Sequence, residues 1–358
     1  LRRRGDLMRY KLLGKTGLRV SELCLGTMTF GEEWGWGASK EVSRSMFDRF
    51  ANEGGNFIDT ANMYTDGTSE KYVGEFIASE RERFVLATKY TLNTRQDDPN
   101  ASGNHRKNMV QAVEASLKRL STEYIDLLWV HAWDFMSPVE EVMRALDDIV
   151  RMGKVLYVGI SDTPAWIVSQ ANTLADLRGW SRFVGLQIQY SLIMRDAERD
   201  LLPMAQALDI AVTVWGALGS GVLSGKYGKH SAGDKAAKDT RIAKREMNHL
   251  LNDRNLSIAA ELLKVAEETG HSSAQTALAW ARQKPGVVIP IIGARTLKQL
   301  EDNIGCVGLE LDPEHVGRLN SVSSIELGFP HDLLARDATK KIIYGSTFDL
   351  IDNHRQPV

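Results

Sequence analysis

Short apolar runs alternate with longer stretches of helical periodicity along most of the chain. The runs at 23–26, 56–59, 84–89, 125–131, 155–161, 184–189, 211–215 and 287–292 have the length and aliphatic content of buried strands. Between and after them, 40–53, 69–79, 106–120, 138–152, 164–177, 200–208, 256–269 and 297–304 carry apolar residues at i, i+3, i+4 spacing, with Val110, Val113, Leu117 and Leu120 as the clearest stripe. Such a stripe marks the face of a helix packed on a sheet. Pro138 and Pro164 stand where helices begin, the position at which proline is tolerated. At the start, 10–13 and 18–20 flank a Gly14 to Gly17 turn and predict a hairpin.

A continuous alternation of strand and helix predicts a parallel sheet with helices outside it, and eight strands predict an α/β (β/α)8 TIM barrel. The rival, an open doubly wound sheet, lacks the G-x-G-x-x-G that would follow its first strand. Two segments fall outside the repeat: a long, polar loop from Gly216 to about Arg254 after strand seven, and a tail from Gly305. The tail carries Phe329, Tyr344 and Phe348, and is expected to dock on the barrel and close one side of the pocket. Residues 8–358 read as one domain, with Met8 as the natural start and 1–7 as an added leader or disordered N-terminus.

Composition narrows the class of function. The chain has 358 residues, a net charge of -2 and 25% charged residues, an ordinary balance that argues against a nucleic-acid partner. No apolar run reaches the roughly 18 to 20 residues of a membrane span. The two cysteines, Cys24 and Cys306, suggest neither a disulfide framework nor a zinc site, and fit a reducing cytoplasm. The histidines show no metal-ligand spacing, so the expectation is chemistry without a metal.

The candidate chemistry lies at strand ends, which in a parallel barrel surround one pocket. Asp59 closes the second strand, Tyr64 follows five residues later, Lys89 closes the third strand and His131 the fourth. A phenol can protonate a carbonyl oxygen while hydride arrives at carbon, provided its pKa is pulled down from about 10. Lys89 is the expected source of that pull, Asp59 the ion-pair partner that orients Lys89, and neutral His131 the hydrogen-bond partner of the substrate oxygen. Taken singly, a strand-end aspartate caps helices and a lone histidine packs in cores; the set of four in this order carries the reading.

These residues sit in longer motifs. Asp59-Thr60-Ala61-x-x-Tyr64-x-x-Gly67-x-Ser69-Glu70-x-x-x-Gly74, Lys89, and Ser116-Leu117-Lys118-Arg119-Leu120-x-x-x-Tyr124-Ile125-Asp126-Leu127 leading to His131 resemble the aldo-keto reductases, of the bacterial and potassium-channel β-subunit-like branch. Gly159-Ile160-Ser161, Gln187-x-Gln189-Tyr190 and Ala217-Leu218-Gly219-x-Gly221-x-Leu223-x-Gly225-Lys226-Tyr227 extend the resemblance over 10–305. It implies that Asp59, Tyr64, Lys89 and His131 are the catalytic tetrad. Histidine rather than glutamate at 131 resembles the carbonyl reductases rather than the members that reduce steroid double bonds.

The resemblance further implies a nicotinamide cofactor, NADPH with NADH as the alternative. Ser161, Asp162 and Gln187 would meet the carboxamide, and Trp215 would stack on the ring. Gly216, Leu218, Gly219, Ser220, Gly221, Leu223 and Lys226 would surround the pyrophosphate, where glycines let backbone N–H groups approach phosphate oxygens. At 162 the family pattern has asparagine; an ionised Asp162 accepts hydrogen bonds but donates none. Gly293, Arg295, Gln299 and Asn303 match the adenosine-side motif, with Gly293-Ala294 where the better-known branch has Lys-Ser, so Arg295 becomes the candidate partner of a 2′-phosphate. Met28, Trp34, Tyr90 and Trp133 follow strands one, three and four and are the candidate substrate contacts. The implied activity is reduction of an aldehyde or ketone, sugar-like carbonyls included. A slow nucleotide-sensing binding protein and an NAD-dependent sugar dehydrogenase stay open beside it, as does the oligomeric state.

Overall fold

Strands of three to seven residues close into a parallel barrel in a computed structural model that describes residues 7–226 and 247–352. A hairpin of β1 (Tyr10–Leu12) and β2 (Arg19–Ser21) precedes it. The barrel strands are β3 (Cys24–Gly26), β4 (Phe57–Asp59), β5 (Val85–Tyr90), β6 (Ile125–Val130), β7 (Val155–Ser161), β8 (Phe183–Gln189), β9 (Ala211–Trp215) and β10 (Val288–Ile292). Each pairs in parallel with its neighbour, and β10 returns to β3. All eight strands expected from the sequence are present, with ends shifted by one residue at most.

Successive side chains of a strand point to opposite faces, so the barrel has two cores. Inward, Cys24, Phe57, Val85, Ala87, Leu127, Trp129, Val184, Ala211 and Ile289 pack together, and Leu13 and Val20 of the hairpin region join them. Outward, Ile58, Leu86, Leu128, Ile160 and Leu186 pack against the helices. The inward layer has an uneven distribution of volume: Trp129 is fully buried and takes the space that Gly159 and Gly185 leave open. A Cβ at Gly159 would lie 2.4 Å from the Trp129 ring, and one at Gly185 2.7 Å.

The helices fall where their periodicity puts them, with local differences. In α3 (Arg106–Leu120) the buried face is Met109, Ala112, Val113, Ser116 and Leu120, whereas Val110 is exposed. Val113 and Leu120 of the expected stripe are buried and Leu117 packs against the core, so only Val110 departs from it, its place on the buried face being taken by Met109. Pro138 and Pro164 occupy the cap positions just before α4 (Val139–Arg151) and α5 (Ala165–Arg178). A helix at Ser273–Arg282 was not expected. Its sequence signal is present in the left-handed Gly270 that ends the preceding helix, Asp253–Thr269, and in a Ser272/Gln275 capping box.

The tail differs from its expectation. Helix Pro313–Val322 packs on Asp253–Thr269, with Arg318 paired to Glu261 and Glu268. Beyond it, Phe329, Tyr344 and Phe348 are exposed, as are Ile342 and Leu350, so the end of the described chain neither docks on the barrel nor closes the pocket. Aromatic content alone does not distinguish a docked segment from an undocked one. The polar middle of the predicted long loop falls largely at 227–246, and the leader mostly at 1–6; both stretches lie outside the described residues, as does 353–358.

The Trp129 fit gives a stability test. Gly159→Ala should lower unfolding free energy by about 1–3 kcal/mol through overpacking. Gly317→Ala, at an exposed helical position with nothing within 4 Å of the added carbon, should raise it by about 0.5–1 kcal/mol. Urea unfolding of both variants checks the pair.

Candidate active site

The carboxyl ends of β4, β5 and β6 bring the four candidate groups together. Lys89 is fully buried and ion-paired with Asp59, and its ammonium also donates to the Thr60 carbonyl at 2.7 Å and to the Tyr64 hydroxyl at 3.1 Å. All three ammonium protons are thereby used. Asp59, itself buried, accepts a further bond from the Gln187 amide at 2.9 Å. The half-buried His131 ring stands edge-on to the Tyr64 ring, with centroids 6.0 Å apart.

The electrostatics of this cluster differ from expectation in one respect. Burial pushes the Tyr64 phenol above its ordinary value; the charge of Lys89 opposes that shift, but Asp59 offsets much of the lysine's field. The phenol therefore keeps its proton, which a proton donor requires. Burial also pulls the Lys89 ammonium down, yet Asp59 and Tyr64 outweigh it and hold the group above its usual value, so it stays charged. Burial, then Lys89, drives His131 well below its usual value, leaving a neutral imidazole. Its Nδ1 is buried and has no partner among the described residues.

Tyr64 reaches this position from a strained turn. Thr65 and Asp66 both adopt left-handed backbone, φ +46° and +54°, which costs free energy for non-glycine residues. Hydrogen bonds hold the turn: the Thr65 hydroxyl donates to Phe30 O at 2.6 Å and accepts from Ser69 N at 3.1 Å. Ser69 meets the hydroxyls of Thr27 and Thr60 at 2.8 and 2.9 Å. Glu70, fully buried, accepts from Thr88 and Arg119, both at 2.6 Å. The sequence motif marks Ser69 and Glu70, but their role as the underside of the Tyr64 turn is visible only once Thr27, Thr88 and Arg119 are brought beside them.

On the opposite side, register aligns Ser161 with Gln187 and Gln187 with Thr213 across β7, β8 and β9. The Ser161 hydroxyl is buried and has no hydrogen-bond partner among the described residues. Asp162 follows it and accepts from the Trp215 indole at 3.1 Å. After β9 the chain runs through a series of left-handed residues, Gly216, Gly219, Ser220, Gly221 and Gly225, and such turns expose backbone N–H groups to anions. Leu218 is half-buried and Lys226 exposed, while the Leu223 side chain is fully buried in the outer core, so only its backbone is available to a ligand. After β10, Gly293 is exposed and Arg295 half-buried; Gln299 accepts from Arg295 N at 3.0 Å, and Asn303 is buried.

The candidate substrate residues divide. Trp34 meets Tyr64 edge-on at 6.4 Å and Trp36 at 5.7 Å, forming an aromatic wall beside the phenol. Met28 is half-buried just beyond β3. Tyr90 is not brought to the pocket: it is buried, its hydroxyl donating to Asn104 O at 3.2 Å, because the residue after inward-facing Lys89 points outward. Trp133 is mostly buried in the outer core. Trp36 had not been singled out; its spacing from Trp34 was the available signal.

The family follows from the whole chain. The aldo/keto reductase family model matches residues 22–324, and the chain belongs to that family of oxidoreductases. It is 43% identical over 336 residues to a norsolorinic acid reductase of Emericella nidulans, covering 91% of this chain and 84% of that one. A norsolorinic acid reductase of Aspergillus flavus is 38% identical over 339 residues, covering 92% and 84%. An NADP(+) aryl-alcohol dehydrogenase of Phanerodontia chrysosporium is 37% identical over 343 residues, covering 92% and 89%. These relatives are fungal and lend no support to the bacterial and channel-subunit-like branch.

Neutral His131 has a measurable consequence. Its proton is taken up by the unfolded chain near the ordinary value of 6.5 but resisted by the folded one, so stability present above that pH falls as pH drops below it. His131→Gln should flatten that decline, seen as a smaller difference between urea midpoints at pH 7.5 and pH 5.5 than in the wild type.

Proposed function

We propose that this chain reduces an aryl aldehyde or ketone to the alcohol with NADPH, with Tyr64 as general acid. The observation that carries the reading is the Lys89 ammonium, fixed by Asp59 and Thr60 and donating at 3.1 Å to a phenol that retains its proton. A reduced nicotinamide, when bound, supplies the hydride. The protein supplies the rest: as negative charge develops on the carbonyl oxygen, the Tyr64 hydroxyl transfers its proton to it, and the buried Lys89 charge stabilises the phenolate left behind. The neutral His131 ring orients the same oxygen without competing as an acid.

The buried, unpartnered Ser161 hydroxyl and the left-handed turns of 216–225 support a nicotinamide dinucleotide across the ends of β7 to β9. Arg295, half-buried beside the start of the Leu297–Ile304 helix, supports the phosphorylated form. Trp34 against Tyr64, with Trp36 beside Trp34, favours a flat aromatic substrate, since ring edges and faces pair with it at little entropic cost. The names of the fungal relatives point the same way.

A panel of aryl, aliphatic and sugar carbonyls assayed with both cofactors tests the reading; preference for sugars, or for NADH, would overturn it. Tyr64→Phe should lose about 10²- to 10⁴-fold in turnover, the usual worth of general acid catalysis, while still binding cofactor. Arg295→Ala should weaken NADPH binding by about 1.5–3 kcal/mol and spare NADH, since a charged group adds most to a bond with phosphate. Fluorescence titration of each cofactor separates these outcomes.

A further inference from the structure

Asp162 is a charge in a position where the family pattern has a neutral amide. The residue takes left-handed backbone, φ +42°, a conformation that aspartate and asparagine adopt more readily than most side chains. Its N–H donates to Gln187 O at 3.2 Å, which fixes it at the end of β7 beside β8. Oδ1 accepts from the Trp215 indole at 3.1 Å. The side chain is exposed and lines a cavity of about 320 Å³ with Thr163, Pro164, Ile188 and Gln189. Partial burial of the carboxyl raises its pKa above the ordinary aspartate value, opposed by the Trp215 bond and by the field of Lys89, a charge already paired with Asp59. Among the described residues no cation is ion-paired with this carboxylate, which bonds Trp215 and whose field reaches the proton donor, Tyr64.

A reduced nicotinamide is neutral and an oxidised one carries a positive charge. In the proposed reaction the C4–H bond of the ring breaks, and its electron pair goes with the hydrogen into the new C–H bond at the carbonyl carbon. The carbonyl oxygen takes the Tyr64 proton, and one positive charge remains on the ring. We infer that Asp162 is the counter-charge of that ring, so that the site holds the oxidised cofactor more tightly, relative to the reduced one, than an asparagine would. The inference rests on the nicotinamide reading above. An asparagine oxygen accepts the same indole bond but brings no charge, so the difference between the two side chains is electrostatic.

The magnitude follows from separation. Unit charges roughly 7 to 10 Å apart at an effective dielectric near 20 change a binding constant about 10- to 50-fold. The same interaction favours hydride departure, because the ring gains its charge as the hydride leaves. Its cost falls on release: oxidised cofactor should dissociate more slowly from the wild type than from the asparagine variant.

Calorimetric titration of NADP⁺ and NADPH into the wild type, Asp162→Asn and Asp162→Gly tests this, both replacements being compatible with φ +42°. Both variants should lose about tenfold or more in NADP⁺ affinity while NADPH affinity changes by less than about threefold. An unchanged ratio of the two affinities, or equal weakening of both forms, would overturn the counter-charge role while leaving the nicotinamide reading in place. A wild type that binds neither form would remove that reading, and the inference with it.

Discussion

The buried pair of Lys89 and Asp59 is the constraint on which the rest of the site depends. Placing an ammonium and a carboxylate out of water costs several kcal/mol per ion, and Coulomb attraction offsets that only when the remaining hydrogen-bond capacity is filled. Here it is filled: Lys89 donates to Asp59, Thr60 and Tyr64, and Asp59 accepts from Gln187 as well. Asp59, Thr60 and Tyr64 come from the end of β4 and the turn after it, Lys89 from β5 and Gln187 from β8. Satisfying one ion pair therefore fixes the turn after β4, the end of β5 and the end of β8 relative to one another, and the phenol is positioned as a by-product of that satisfaction.

The pair also sets the protonation states. A lone buried lysine beside a phenol would drive it toward phenolate, and the site would hold a base. Burial opposes that, and Asp59 works against the lysine's field as well, so the phenol keeps its proton in the resting state. Lys89 nevertheless stays charged, because Asp59 and Tyr64 outweigh the effect of burial. The same positive charge adds to burial in keeping His131 neutral. Three neighbouring groups thus acquire distinct roles, charged support, neutral acid and neutral hydrogen-bond partner, from one compensated charge.

What the sequence made legible followed from period and position. Strand ends could be read because apolar runs stop where polar chemistry begins, so Asp59, Lys89 and His131 were placed at one barrel face before any coordinates. The same rule, applied one residue further, misassigned Tyr90: a period of two sends it outward, and the neighbouring Lys89 already occupied the inward position. Of the stripe on the Arg106–Leu120 helix only Val110 was misplaced, because helical periodicity shows that a face exists but not which of two adjacent residues, Met109 or Val110, meets the neighbouring surface. The tail failed for another reason. Apolar residues at 329–351 indicate a capacity to pack, but whether they find a surface is a tertiary matter. The depression of the phenol's pKa was overestimated because a sequence shows which charges are near one another and not how much solvent each has lost.

Strain shows how the two halves of the site are held. On the proton side Thr65 and Asp66 are left-handed; on the cofactor side Asp162 and Ser220 are. Non-glycine residues in that conformation persist only where surrounding bonds over-determine them. Around the proton side those bonds are internal: Thr65, Ser69 and Glu70 are all buried, and their partners are protein groups. On the cofactor side the count is incomplete. Ser161 has a buried hydroxyl with no partner among the described residues, and Asp162 lies open with one oxygen bonded to Trp215. The turn that carries Tyr64 is thus held by protein groups alone. The half formed by the ends of β7 to β9 is completed by whatever occupies it, so occupation of that half should affect the ordering of those strand ends more than that of the Tyr64 turn.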